Sequence, residues 1–271
     1  MTVFEYNQTD LSFPRDGRGL VFDIKEFALF DGPGLRCTVF MKGCPLGCSW
    51  CHNPEGQAFR PEVMRTAAGE RTVGVFYRPE ELADKLLGYQ EVLKLAAGGV
   101  TFSGGEPLWQ GDFVAEVMRR LTGRLHLLLQ TSGYAPSALF RQVSDLSDLV
   151  YFDLKLVDPV LHRRYTGQDN ALILENLRRL DRSGRPYRLR VPLIPGLTDS
   201  RENYQNLRDL LAGELNQTDG LQGLDFLPYN PATGGKYPAL GRVFQPGYDE
   251  TRPLDLAVDF FREVVKEVKV L

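Results

Sequence analysis

The stretch Lys42-Gly43-Cys44-Pro45-Leu46-Gly47-Cys48-Ser49-Trp50-Cys51-His52-Asn53-Pro54 follows an apolar run, Arg36–Met41, that reads as a strand. Its cysteines stand in the pattern Cys-x3-Cys-x2-Cys, and the rest of the chain offers no fourth close partner. Thiolates crowded onto so short a loop bridge one another poorly, yet they can close around a metal centre. An iron–sulfur cube normally takes four cysteines, one per iron. Three would leave one iron open to a small molecule, which makes a reactive site rather than an electron wire. Gly43, Pro45 and Gly47 suit a tight loop whose amide groups turn toward bridging sulfides. Two other readings stand beside this one. A disulfide is disfavoured by sparse cysteine and the lack of a secretory signal. A structural zinc site would need Cys37 or His52 to close the tetrahedron.

The chain has 271 residues, enough for one large core or two small ones. Its 43% hydrophobic and 25% charged content is ordinary for a globular protein. A net charge of −3 argues against a general nucleic-acid grip. No apolar run approaches the ~18 residues of a membrane span. The opening Met1–Pro14 has acids before any base and no apolar core, unlike an export signal. A cytoplasmic enzyme with reduced thiols is expected.

Outward from the cysteine loop, short apolar strands alternate with amphipathic helices. Expected strands are Arg36–Met41, Gly99–Phe102, His126–Gln130, Leu149–Leu154, Tyr187–Leu193 and Leu224–Leu227. Expected helices are Glu80–Leu93, Asp112–Leu121, Pro136–Leu146, Ala171–Leu180, Arg201–Leu211 and Leu254–Val268. In the second helix Phe113, Val117 and Leu121 recur every fourth residue, on one face. Six such units imply a parallel sheet with right-handed crossovers. Too few for a closed eight-stranded barrel, they predict an α/β fold of the partial, open (β/α)6 TIM-like kind. No linker divides the chain, so residues 1–271 read as one domain with its core over 19–271. The polar stretch Gly56–Arg78 reads as an irregular surface excursion.

In parallel α/β folds, chemistry gathers at the carboxyl ends of the strands. The first expected strand ends in the cysteine loop, where Trp50 offers a flat face or simply packs in the core. The second ends in Gly104-Gly105-Glu106, suited to close backbone approach and a cationic amine, or to a plain turn. The third ends in Gln130-Thr131-Ser132. The fourth carries Asp153 and Lys155 on one face, costly to bury without a ligand or mutual pairing. The fifth carries Arg188 and Arg190, and the sixth runs into Pro228-Tyr229-Asn230.

These placements resemble the radical S-adenosylmethionine superfamily and, more narrowly, the glycyl-radical-enzyme activating enzymes. The resemblance runs from about Gly19 to the end. It rests on Asp31-Gly32-Pro33-Gly34-Leu35-Arg36, the cysteine loop, Ser103-Gly104-Gly105-Glu106-Pro107, Asp153-Leu154-Lys155 and Arg190-Val191-Pro192-Leu193-Ile194-Pro195-Gly196. Leu227-Pro228-Tyr229-Asn230 with Lys236-Tyr237 also fits. The resemblance implies that Cys44, Cys48 and Cys51 hold one [4Fe–4S] cluster whose open iron binds S-adenosylmethionine. Trp50 would flank the adenine. Gly104, Gly105 and Glu106 would meet the methionine amine, with Thr131, Asp153, Lys155 and Asn230 around the methionine and ribose. Asp31 and Arg190 would grip the substrate peptide backbone. It implies a 5′-deoxyadenosyl radical taking hydrogen from a glycine of a partner glycyl-radical enzyme. The electron would come from an external donor such as flavodoxin or ferredoxin, and the protein would act as a monomer.

Three departures stand out. The pyruvate formate-lyase activator has Asp at the position of Gln130, where it helps hold a monovalent cation, so the resemblance does not carry that cation site over. The same relative has His at the position of Asn230. Many relatives carry a cysteine-rich insert after the cysteine loop, whereas Gly56–Arg78 has no cysteine and so no ligands for an auxiliary cluster. Cys37 reads as a small buried residue and His52 as a loop residue. A radical enzyme acting on a small molecule or another peptide is the nearest alternative. A non-enzymatic metal-binding or electron-transfer module is a third, but it leaves Glu106, Asp153 and Lys155 unexplained.

Overall fold

The computed structural model describes residues 16–215, 218–256 and 258–271. The opening stretch Met1–Pro14 lies outside them. In chain order the strands are β1 (Gly19–Ala28), β2 (Arg36–Met41), β3 (Glu62–Thr66), β4 (Gly69–Val73), β5 (Val75–Tyr77), β6 (Gly99–Gly104), β7 (His126–Thr131), β8 (Leu149–Asp153), β9 (Tyr187–Leu193), β10 (Leu221–Pro228) and β11 (Val268–Val270). The helices are α1 (Pro79–Leu87), α2 (Gln90–Leu95), α3 (Gly111–Leu121), α4 (Ser137–Ser144), α5 (Pro159–Thr166), α6 (Ala171–Ser183) and α7 (Arg201–Gly213).

Nine strands form one sheet in the order β11-β10-β9-β8-β7-β6-β2-β1-β5. From β2 through β6, β7, β8 and β9 to β10, every neighbouring pair is parallel. These strands follow one another in chain order, which is the winding of an open TIM-like barrel rather than of a doubly wound sheet. The side chains separate into two apolar sets because strand residues alternate between faces. The large set packs under the helices, with Val100, Phe102, Leu127, Leu129 and Val150 from the strands. The small inner set is Leu128, Leu149 and Tyr151. Many other inward positions are polar, among them Thr38, Thr101, Ser103, Gln130, Asp153 and Arg190. That polar lining is where a binding space can form.

Local signals explain most of the elements. In α3, Phe113, Val114, Val117, Met118 and Leu121 are all buried, each contributing on the order of 1.5–3 kcal/mol of apolar burial. Asp158 caps α5, its side chain accepting from the Leu161 amide at 2.7 Å, and Gly167 ends it at φ +80°. The expected helix Glu80–Leu93 is broken into α1 and α2 at Gly88, where helix propensity is poor.

Two expectations are corrected. The stretch Gly56–Arg78 is not irregular: β3 and β4 pair as an antiparallel hairpin, and β5 adds to the edge of β1. Its polar residues hid it, because a hairpin that buries only Met64 and Val73 shows no apolar alternation. Among the described residues of Leu254–Val268, the expected helix is not formed. One turn over Val258–Phe261 is followed by β11, which pairs in parallel with β10 through Leu224 and Val268. Tertiary partners decide this: Phe261 is buried against Tyr204 and Phe226, and β11 satisfies the otherwise bare edge of β10. The strand β1 was not foreseen, although it pairs antiparallel with β2 and lengthens the sheet.

Candidate active site

The cysteine loop leaves the carboxyl end of β2 and is tied down on several sides. The Gly43 amide donates to the Gly56 carbonyl at 2.7 Å, the Gly47 amide to Thr166 at 2.7 Å and the Ser49 amide to Tyr165 at 2.9 Å. Gly104 and Gly105 let the loop's base sit flush on β6. A Cβ on Gly104 would stand 2.4 Å from the Met41 backbone, and one on Gly105 2.4 Å from the Gly56 carbonyl. Close backbone approach is therefore required here by the protein's own packing. A part-buried ionic net, centred on the buried Lys42 and Glu55, completes the anchorage. Lys42 Nζ donates to the Glu55 carbonyl and, at 3.0 Å, to Glu62 Oε2. Arg242 reaches Pro54, Gln57 and Glu62, while Lys236 reaches Asn53 and Glu55. Residues from three distant parts of the chain converge in this net, so no local spacing announces it.

Above the strand ends lies a cavity of about 210 Å³. The cysteine loop contributes Cys44, Cys48, Trp50 and Cys51 to its wall, and the sheet contributes Ser103, Gly104, Gly105, Glu106, Gln130, Thr131, Ser132, Asp153 and Lys155. All four cysteines of the chain are unpaired, which removes the disulfide reading. Among the described residues, no three or more His, Cys, Asp and Glu side chains are grouped around a single-ion position. A cube asks for a different arrangement, one thiolate per iron. A larger hollow of about 480 Å³ lies outside the barrel, between α4 and α6, away from these strand ends.

The site is electrically tense. Burial pushes all three thiols up, Cys51 to about 12, and neighbouring cysteines add to the shift at Cys44 and Cys51. Burial pulls the Lys155 ammonium down, but Cys48 and Asp153 outweigh it and the net shift is upward. Asp153 Oδ2 accepts from Gln130 Nε2 at 3.4 Å, and its buried Oδ1 has no hydrogen-bond partner. Such an orphaned acceptor in a cavity wall calls for a donor from a ligand. Free thiols for a cluster, a half-buried cation and an open carboxylate edge therefore fit an iron–sulfur centre with a charged, hydroxyl-bearing cofactor beside it.

The other expected residues divide. Glu106 lines the cavity, but its carboxylate is already held by Leu108, Thr131 and Ser132, and burial raises its pKa against those donors. Trp50 is buried, with its ring 6.4 Å from that of Tyr165. Asn230 is exposed and outside the cavity wall, where its side chain accepts from the Ala232 amide at 2.9 Å. Asp31 and Arg190 also stand outside that wall. Asp31 lies at the amino end of β2, with Oδ2 accepting from Thr38 at 2.7 Å. Arg190 is buried on β9, stacked 4.7 Å over Tyr151, and its Nε has no hydrogen-bond partner. Gln57 was not foreseen as part of the wall, and Ser132 was placed at a strand end without a role. Their types are common in turns and carry no signal without the fold.

The Radical SAM superfamily model matches residues 38–207. The chain is 31% identical to the indoleacetate decarboxylase activating enzyme of Tractidigestivibacter scatoligenes, covering 84% of this chain and 88% of that one. It is 33% identical to the pyruvate formate-lyase 2-activating enzyme of Escherichia coli (strain K12), covering 85% of this chain and 84% of that one. A solved domain of a pyruvate-formate lyase-activating enzyme from Bacteroides vulgatus superposes with a TM-score of 0.51 at 24% identity, covering 64% of this chain and 99% of that one. The family match falls on the strands that carry the cysteine loop and the cavity, and the chain belongs to the radical S-adenosylmethionine superfamily, among its glycyl-radical-enzyme activating enzymes.

Proposed function

We propose that this protein installs a glycyl radical in a partner enzyme by removing a hydrogen atom from the α-carbon of one glycine. One observation carries the reading: three unpaired cysteines share a cavity with Lys155 and with an Asp153 oxygen that lacks a partner. When bound, a reduced [4Fe–4S] cluster with S-adenosylmethionine supplies a 5′-deoxyadenosyl radical, the hard chemistry that the protein itself cannot provide.

The chain's residues bind, orient and exclude water. Cys44, Cys48 and Cys51 would hold the cluster, with the sealed base of the loop behind them. Lys155 would face the cofactor's carboxylate and Asp153 a hydroxyl or amine. Trp50, Gly104 and Gly105 would close the wall, and Thr131 with Glu106 would brace it. Asp31 and Arg190 would grip the substrate peptide from opposite sides of the barrel. The guanidinium has an uncommitted buried donor for a peptide carbonyl. The carboxylate keeps Oδ1 outside the bond from Thr38. A role for Asn230 at the cofactor would need it to leave its cap.

The reading carries a single domain over residues 1–271, a monomer, a cytoplasmic location and no nucleic-acid partner. It also carries one external electron donor, a flavodoxin or ferredoxin, since Gly56–Arg78 supplies no cysteine for a second cluster. Anaerobic reconstitution with iron and sulfide, then dithionite and S-adenosylmethionine, tests it. We expect 5′-deoxyadenosine release that vanishes in Cys48→Ala. With a glycyl-radical enzyme present, we expect a glycyl doublet in the electron paramagnetic resonance spectrum. Zinc in place of iron in the native protein, with no release, would refute the reading. Release with every glycyl-radical enzyme left unmodified would favour another substrate.

A further inference from the structure

The segment where α5 gives way to α6 reaches three parts of the cavity's surround: the cysteine loop, the turn after β7 and the end of β8. Tyr165 and Thr166 stand in the last turn of α5, where carbonyls have no partner inside the helix. They accept from the Ser49 amide at 2.9 Å and the Gly47 amide at 2.7 Å. Gly167, at φ +80°, then turns the chain back. Gln168 Nε2 donates to the Pro45 carbonyl at 3.3 Å, and its Oε1 accepts from the Tyr134 hydroxyl at 3.0 Å. Two residues on, Asn170 Nδ2 donates to the Leu156 and Val157 carbonyls at 3.1 and 2.7 Å. Those two residues directly follow Lys155.

The base of the cysteine loop is held from elsewhere, the Gly43 amide by the Gly56 carbonyl and the Cys44 amide by Gln57 at 3.1 Å. Its outer half, residues 45–49, carries Cys48 and leans on the end of α5. That end is itself locked. His162 is fully buried, with Nδ1 2.7 Å from the Gln168 carbonyl. A carbonyl only accepts, so Nδ1 carries the proton. Asn170 is 2% exposed, and an amide buried against two carbonyls of another segment fixes that segment, because stranding them is costly. One short stretch therefore ties the backbone around Cys48 to the backbone just past Lys155, and both side chains line the cavity.

We propose that Gln168 and Asn170 are positioning residues that hold the outer half of the cysteine loop in register with the end of β8, so that one cofactor can engage the cluster and Lys155 together. The inference rests on the functional reading above and adds to it what sets the spacing between the two grips. A ligand held at two points loses affinity when the spacing between them drifts, even with every direct contact residue in place.

The test separates register from mere stability. Gln168→Met keeps the length of a half-buried side chain and removes both of its hydrogen bonds. Iron and sulfide per chain after reconstitution should match the unaltered protein, as should the urea midpoint without metal to within a small loss. The KM and dissociation constant for S-adenosylmethionine should rise roughly tenfold, about the worth of one hydrogen bond. The change that S-adenosylmethionine causes in the electron paramagnetic resonance spectrum of the reduced cluster should need correspondingly more of it. Asn170→Asp should act in the same direction. His162→Asn, which keeps a donor close to the place of Nδ1, should retain more affinity than His162→Leu. Arg163→Gln, which breaks only an exposed pair with Asp169 on the same segment, is the control and should change nothing. Unaltered affinity in Gln168→Met, or a fall in cluster content with normal affinity in the loaded fraction, overturns the inference while the functional reading stands. Failure of the unaltered protein to take up a cluster and cleave S-adenosylmethionine removes the functional reading, and the positioning role with it.

Discussion

Glu106 and Ser132 are locked together by two hydrogen bonds, the Ser132 amide and hydroxyl both donating to Glu106 Oε2 at 2.8 and 2.5 Å. Thr131 Oγ1 and the Leu108 amide donate to the other oxygen, at 2.5 and 3.1 Å. A carboxylate has about four acceptor positions, so this one is filled by the protein. Glu106 therefore joins the end of β6 to the end of β7 and sets the shape of the cavity wall between them.

Glu106→Gln should destabilise the metal-free protein. An amide nitrogen cannot accept from Ser132 or Thr131, and stranding buried donors costs on the order of 1–3 kcal/mol. A lowered urea midpoint without cluster or cofactor checks this. An unchanged midpoint with lost cofactor binding would instead make Glu106 a direct partner of the methionine amine.

Asp31 should matter for transfer to the partner and not for cofactor cleavage. Asp31→Ala is expected to leave slow 5′-deoxyadenosine release intact while glycyl-radical formation falls. Thr38→Val, which removes the hydroxyl holding Asp31 Oδ2, should weaken peptide use roughly tenfold through a higher KM, the loss of one charge-assisted hydrogen bond. Thr38→Ser should restore it. A collapse of cleavage itself in Asp31→Ala would place Asp31 near the cofactor.

Gln130 accepts from Ser103 Oγ at 3.2 Å and donates to Asp153 at 3.4 Å. Its neutral amide stands where the pyruvate formate-lyase activator has a carboxylate. Activity should therefore be indifferent to replacing sodium or potassium with a bulky organic cation. Gln130→Asp should introduce a dependence on the small cation, because two carboxylates side by side need a positive charge between them. Equal cation dependence in both proteins would contradict this.

Cluster loading should depend on pH. The thiols must lose protons to bind iron, and burial raises all three, Cys51 to about 12. Proton competition weakens as pH rises toward the thiol range, so reconstitution should improve from pH 7 to pH 9, as roughly one proton per cysteine is displaced. Iron and sulfide content, measured across that range, checks the sign. By the same physics Cys37, also pushed up to about 12 by burial, should resist alkylation in the native protein at pH 8. In the folded state it keeps a proton that the unfolded chain loses above 9, so its contribution to stability is full below that point and declines as pH rises toward 12.

What the sequence determined by itself was whatever short-range pattern can carry. Tyr187–Leu193 and Arg36–Met41 were legible as strands because a buried parallel strand is a short apolar run. The cysteine loop was legible because its ligands lie within eight residues of one another. Asp153 and Lys155 were legible as a pair from their spacing of two at a strand end, although Lys155 lies just past β8 and it is the fold that brings both to one cavity. Tertiary structure alone decided what depends on distant partners. Leu254–Val268 has a helix-like pattern but gives way to β11, since the edge of β10 and the packing of Phe261 outweigh local propensity. Glu106 is a brace because Ser132, twenty-six positions away, arrives at its oxygens. Asn230 is a cap because the chain turns at Pro231 rather than continuing over the cavity. The loop at Asp31 keeps its place only because Thr38, Thr101 and Arg36 hold it from inside the barrel.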